Sequence, residues 1–338
     1  MEKGQVLPQT LGLPRRGRFP MDTSPRQIPP PDVPTEESTV TFQTLAEPFQ
    51  YEFFRHGLVA ATLAGVLCGL MGVFIVLRRM SYIGHGLSHS IFGGAVVAYL
   101  MQWNFYLGAG LWGFASALLI NATARRRNIG ADAAIGIVTT ASFAIGVALI
   151  SKTRSFTRNF EAALFGNILG VTPRDLAVLG VVTVVVVAAV FLGYKQVLFT
   201  TFDAPLAKIH GVPTEWVETA FALALAATMV AALNVVGVTL IAAAIVIPPT
   251  TARLLTDSFG RMVVLSTLIG GACGFVGMML SYYGDIASGA AIVLVAAVLF
   301  GSVYAATEVR HRLRLRRPAP VAVPARPAAP AVALDERG

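Results

Sequence analysis

Long apolar runs dominate this chain and limit what it can become. They recur at roughly 57–77, 84–102, 104–121, 131–151, 175–194, 216–233, 235–248, 262–283 and 286–306. A helix rises about 1.5 Å per residue, so about 20 residues cross the roughly 30 Å of hydrocarbon in a bilayer. Most of the runs reach that length. Acidic residues fall between the runs or at their ends, which spares the several kcal/mol that a charge costs in mid-membrane. Of 338 residues, 55% are hydrophobic and 13% charged, with a mean hydropathy of +0.68. A typical soluble domain carries about 25% charged residues. The expected fold is all-α: a polytopic membrane helix bundle of eight or nine transmembrane helices.

The stretch from Trp216 to Ile247 is too long for one span and too short for two. It is interrupted near Asn234 to Gly237 and closed by Pro248-Pro249, which predicts one full helix followed by a short one. Irregular backbone at that depth is tolerated only under cover from neighbouring helices. Glycines crowd Gly65 to Gly72 and recur at Gly270, Gly271, Gly274 and Gly277, a spacing that lets helix backbones pack closely. Cys68 and Cys273 sit singly in apolar runs and read as packing residues, neither a disulfide framework nor a zinc cage.

Both ends differ from the middle. Residues 1–52 hold Pro8, Pro14, Pro20, Pro25, Pro29 to Pro31 and Pro34 among polar residues, and such a composition cannot bury a core. They are expected to form a disordered tail, followed by the membrane domain at 53–308. From 309 to 338 a basic then Ala/Pro-rich flexible tail is expected. No secretory leader pattern precedes the first run, which then serves as its own insertion signal.

Basic residues set the orientation. Arg78 and Arg79, Arg125 to Arg127, Lys195 and Lys208, Arg253 and Arg261, and the arginines from Arg310 to Arg317 all follow odd-numbered runs. Nine alternating segments place them in the cytoplasm, with the N-terminus outside. Lys152, Arg154, Arg158 and Arg174 disagree with this pattern. Phe160 to Val171 is too short to cross, so that loop is expected to be exposed on the outer side, with an interfacial helix as a further option. The net charge of +8 reads as topology. No aromatic residues are interleaved with the arginines, which argues against nucleic acid as a partner.

Two of the chain's 5 histidines, His85 and His89, lie four residues apart in the second run. On a helix they share a face. Neutral imidazole suits zinc and also manganese or iron, so the pair is a candidate metal site; the alternative is that each ring hydrogen-bonds a backbone carbonyl. Six to ten residues beyond Arg79 put the pair about 9 to 15 Å deep. A membrane metalloprotease needs Glu after the first histidine, where Gly86 stands. The segment from Thr200 to Pro213 carries a capping signature at Thr200 or Thr201, with Asp203 and Pro205 in the first turn and a stop at Gly211. That predicts a short surface helix, with His210 at its end. No phosphate-binding loop is present, so any ATPase driving the protein is a separate polypeptide. No mid-span carboxylate stands ready to relay protons, which weighs against an ion-coupled carrier.

From about Phe53 to Ala306 the chain resembles the integral membrane permeases of bacterial ABC importers for zinc, manganese and iron. Six segments in order carry the resemblance: Leu77-Arg78-Arg79-Met80-Ser81-Tyr82-Ile83-Gly84 with the histidines; Asp132-Ala133-Ala134-Ile135-Gly136-Ile137; Leu164 to Leu176; the loop from Asp203 to Gly211; Ile245 to Arg253; and Tyr283-Gly284-Asp285 with Gly289. The resemblance implies a type II importer permease fold in the bacterial plasma membrane and a homodimer embedded in lipid. It also implies two cytoplasmic ATPase subunits docked on Asp203, Ala204, Leu206, Ala207 and Gly211, and an extracytoplasmic metal-binding protein. Acidic residues on that protein would match Lys152, Arg154 and Arg158. The chain itself would be a transport subunit and no enzyme. Zinc would be the passing ion, with manganese or iron as alternatives and no permanently bound cofactor. The family commonly has Asp where His85 stands and often Asp at Asn167, so only His89 carries over residue for residue. A permease for a metal chelate such as a siderophore or cobalamin, or an ion-coupled metal carrier, is the alternative function.

Overall fold

Each of the nine apolar runs forms a helix. In the computed structural model, which describes residues 47–124, 130–153, 164–166 and 168–315, α1 spans Glu52–Leu77, α2 Ser81–Leu100, α3 Phe105–Ala124, α4 Ala131–Thr153 and α5 Pro173–Leu192. Two short helices follow, α6 at Tyr194–Phe202 and α7 at Ala204–Ile209. The bundle then closes with α8 at Thr214–Val236, α9 at Ile241–Leu255, α10 at Phe259–Gly284 and α11 at Ser288–Leu315. The described residues contain no strand. Seven of these helices are long and apolar enough to cross a membrane. The eighth helix of spanning length, α2, has 20 residues but carries Ser81, His85, Ser88, His89 and Ser90, and the bundle shields most of it.

The middle of the bundle is α1, with α8 beside it; the spanning stretch of α1 is 72% buried against 17% for α5. The glycine-rich faces explain the tightest crossing. A Cβ on Gly65 would lie 2.1 Å from the Gly270 carbonyl oxygen, and one on Gly274 would lie 2.2 Å from that of Ala61. Backbone therefore touches backbone where α1 crosses α10. Ser266 Oγ adds a hydrogen bond to the Gly69 carbonyl at 2.6 Å. Cys68 and Cys273 are buried at this packing level.

The break after α8 falls where the sequence predicted it. Gly237 takes φ of 85°, a conformation that costs glycine little, and α9 follows with 15 residues, about 22 Å of helix. The outer loop expected to be exposed up to Val171 is so only in part over its described residues: Phe165 and Gly170 are exposed, while their neighbours pack on the bundle. Ile168 is buried, and Gly166, also at positive φ, meets Gly237 so closely that a Cβ on Gly237 would lie 2.5 Å from the Gly166 nitrogen. Thr239 donates through both its backbone N–H (3.2 Å) and its hydroxyl (2.7 Å) to the Leu164 carbonyl. Unwound chain at the α8–α9 break needs partners, and residues 164–166 supply them.

Two further expectations are corrected. Pro248 and Pro249 do not close the short helix; they lie inside α9, which runs on to Leu255. Neither proline donates a hydrogen bond, so the carbonyls of Ala244 and Ile245 lose their helical partners. The Ile245 oxygen sits against Gly72, where a Cβ would be only 1.9 Å away, so a glycine makes room for the freed carbonyl. Among the described residues, a single 3-10 turn, Glu47–Gln50, precedes α1 within the expected tail, and α11 continues past 308 to Leu315. The Glu308 carboxylate accepts from Arg312 Nε at 2.7 Å, one turn on, which favours continued helix there. The tails expected at either end otherwise lie outside the described residues.

Candidate functional site

The turn before α2 is sharp and backbone-bonded. Arg79 adopts φ of 56°, while its N–H donates to the Val76 carbonyl and that of Met80 to the Ile75 carbonyl. These two bonds satisfy carbonyls that the end of α1 leaves open. Four glycines then fix how α2 is rolled. A Cβ on Gly86 would meet Ile135 at 2.5 Å, one on Gly93 the Ser142 carbonyl at 2.4 Å, one on Gly94 Trp112 at 2.2 Å, and one on Gly84 Ile245 at 3.1 Å. The helix is thus held by α3, α4 and α9, and Ser90 Oγ donates to Ser116 Oγ at 2.5 Å across the α2–α3 contact. The face left open carries Tyr82 and His85, with His89 half-buried beside them.

The structure brings the two histidines together. Their Nε2 atoms are 3.2 Å apart, and the rings meet edge to face at 4.5 Å between centroids. Phe143 of α4 backs His89 at 5.0 Å; nothing in the sequence pattern marked that residue. The Nδ1 atom of His89 is buried and has no hydrogen-bond partner among the described residues. No group of three or more His, Cys, Asp or Glu side chains able to hold a metal occurs among the described residues. The carbonyl alternative is not what the Nε2 atoms adopt.

At the same end of the bundle as the turn before α2, α6 and α7 form the segment expected to be one capped helix. The cap is Asp203, whose Oδ1 accepts from the Leu206 N–H at 2.9 Å, and Pro205 sits in the first turn. Thr200 and Thr201 belong to α6 instead, whose backbone bonding runs on to the Asp203 N–H, donating to the Phe199 carbonyl at 3.0 Å, while the Thr201 hydroxyl donates back to the Val197 carbonyl at 2.6 Å. Ala207 is buried and anchors α7, Leu206 and Ile209 are exposed, and Gly211 ends the helix at φ of 79°. Phe202 and Trp216 are exposed near its two ends, at 64% and 77%. His210 caps α7, its Nδ1 lying 2.9 Å from the Leu206 carbonyl. An aromatic cluster seats the segment on the bundle: Tyr194 and Phe202 against Phe259, and Phe259 against Phe74.

At the opposite end, Thr172 and Asp175 form a reciprocal cap on α5. Tyr106 donates to Asp175 at 2.5 Å and accepts from Asn234 at 2.9 Å, which ties α3, α5 and the end of α8 together. No spacing signal announced this link. Lys152 is exposed at the end of α4; Arg154, Arg158 and Asn167 lie outside the described residues.

A multi-pass helical bundle with an imidazole pair on α2 and a short exposed helix at one end has the layout of a transport permease. The chain belongs to the ABC 3 transport family, which it matches over residues 50–306. It is 37% identical over 251 residues to the manganese transport system membrane protein MntC of Listeria monocytogenes, an alignment covering 74% of this chain and 89% of that one. A probable iron transport system membrane protein of Haemophilus influenzae is 31% identical over 271 residues, covering 80% of this chain and 100% of the other. Among solved structures, PsaBC from Streptococcus pneumoniae in complex with Fab superposes with a TM-score of 0.73 at 30% identity, covering 82% of this chain and 100% of that chain. The family drawn from the six sequence segments is therefore the family of the chain, and it makes this a multi-pass membrane protein with a transport role.

Proposed function

We propose that this chain is the permease subunit of an ATP-driven importer of a divalent transition metal ion, which passes along a helix-lined path between two copies of the chain. The observation that carries this is the histidine pair, with Nε2 atoms 3.2 Å apart on the open face of α2. Two nitrogens each about 2.0–2.1 Å from a tetrahedral ion stand roughly 3.3 Å apart, so a cation fits between the rings with little adjustment. Two imidazoles leave the ion's other positions free. The exposed face that holds Tyr82 and His85 gives a second copy a place to supply further ligands. A ligand histidine ordinarily donates its other N–H to an outer partner, and such partners are worth about 10–100-fold in affinity. His89 lacks one among the described residues. Weak holding suits an ion that must leave again.

The pair brings no carboxylate, which favours zinc or another borderline cation over manganese. Manganese is the second reading, supported by the relative named for manganese transport at 37% identity. Separate ATPases would seat on α7, where Asp203, Ala204, Leu206, Ala207 and Gly211 place an exposed apolar edge above a buried anchor. A metal-loaded binding protein would meet Lys152, Arg154 and Arg158 on the outer side, with the N-terminus outside and the C-terminus in the cytoplasm of a bacterial plasma membrane.

The test is reconstitution in proteoliposomes with the ATPase subunits and the binding protein. ATP-dependent accumulation of zinc, outcompeting manganese, is the expected result, and the reverse preference selects manganese. Transport without any ATPase would make the chain an ion-coupled carrier. Stimulation only by a chelate-loaded binding protein would make it a chelate permease.

A further inference from the structure

We propose that Arg78 is a positioning residue that transmits movement of the α6–α7 segment to α2, and so to His85 and His89; this rests on the ATP-driven function proposed above. Arg78 caps α1 three residues before α2 begins. Its side chain leaves its own turn and crosses to α6, where Nε donates to Thr201 Oγ1 at 3.1 Å. That hydroxyl is held in turn by its own bond to the Val197 carbonyl, at 2.6 Å. The guanidinium carbon lies 4.3 Å from the centroid of the Phe221 ring on α8, within cation–π range. One side chain therefore joins the α1–α2 turn, α6 and α8. Thr201 stands two residues before Asp203, the cap of α7.

Two more observations set this arginine apart from a packing residue. Its Nη2 is buried with no hydrogen-bond partner among the described residues, and a buried donor in that state calls for a role. Burial lowers the Arg78 pKa from its ordinary value while the charge of Glu218 opposes the shift, and the guanidinium stays charged. The second observation is a cavity of about 220 Å³ lined by Arg78, Ile83, Leu87, Asn121, Glu218 and Leu225, among others. Ile83 and Leu87 are buried on the side of α2 away from exposed Tyr82 and His85. Elsewhere α2 is locked by contacts at glycine distance, so the cavity is the direction in which it has room. Displacement of α7 would shift Thr201, draw on Arg78 and move the start of α2 against this void.

The experiment uses the complete transporter in proteoliposomes and measures zinc delivered per ATP hydrolysed. Thr201→Val removes the acceptor and keeps the shape; Arg78→Gln removes the charge and the fork. Both variants are expected to assemble and hydrolyse ATP, with zinc per ATP falling at least about fivefold, the lower edge of typical coupling effects. The double variant should lose no more than the worse single one, as expected for two groups acting through one contact. An unchanged ratio in Thr201→Val, or losses that multiply in the double variant, overturns the proposal. Should Arg78→Gln fail to assemble, Thr201→Val decides alone. A wild-type complex that hydrolyses ATP and moves no divalent cation overturns the permease function, and this role for Arg78 with it.

Discussion

His85 and His89 share a face but not an environment. His89 is half-buried against Phe143, while His85 faces outward. The exposed position tolerates exchange, so His85→Asp should fold normally. It restores a hard oxygen donor and a negative charge, which should shift the preference of competing uptake towards manganese by roughly tenfold. An unchanged zinc-to-manganese ratio would mean that His85 does not touch the ion. At the cap of α5, Asp175→Ala removes the bonds to Thr172 and to Tyr106 together. A lost cap costs about 1 kcal/mol, and losing the Tyr106 link adds to it, so the melting temperature in detergent should fall by more than in a Thr172→Ala variant.

Between elements, the α1–α10 crossing is the contact most sensitive to size. Gly65→Leu would drive a side chain into the Gly270 backbone, whereas Gly180 on α5 has nothing within 4 Å of a Cβ. The first substitution should destabilise by about 1–3 kcal/mol or more, and Gly180→Leu by no more than about 0.5 kcal/mol. Thermal unfolding of the two variants in detergent checks the contrast; equal stability would contradict the backbone-to-backbone packing. These glycines were legible because their spacing is periodic along one helix face, and so were the nine helices, because length and apolarity suffice to recognise a span. The break at Gly237 was legible from the length of the run around it. The docking of Leu164 on that break was not, since its reason is a carbonyl on one segment meeting a hydroxyl and an N–H some 75 residues away. Pro248 and Pro249 misled for a related reason. Local rules end a helix there, and only the glycine opposite at position 72 shows how the freed oxygen is accommodated. The histidine pair was legible as a shared face; Phe143, Tyr106 and the Arg78–Thr201 bond depend on tertiary neighbours that no spacing encodes.

For the whole molecule, the helices divide between an interior built on α1 and α8 and a periphery of α5 and α11 that shows apolar side chains to lipid or to a second copy. The two candidate working surfaces lie at opposite ends of the bundle, with α7 at one and Lys152 at the other. Reversing the charges at Lys152, Arg154 and Arg158 should weaken stimulation by the binding protein and leave assembly with the ATPases intact, measured as ATP hydrolysis with and without the loaded binding protein. Full stimulation in the triple variant would remove those residues from the docking surface. The central claim, that a divalent cation passes the histidine pair, is tested most directly by ATP-dependent zinc and manganese accumulation in proteoliposomes carrying the His89→Ala permease with its ATPases and binding protein. Accumulation of both metals at background level, with the complex assembled and hydrolysing ATP, is the predicted result; accumulation at the wild-type rate would contradict it.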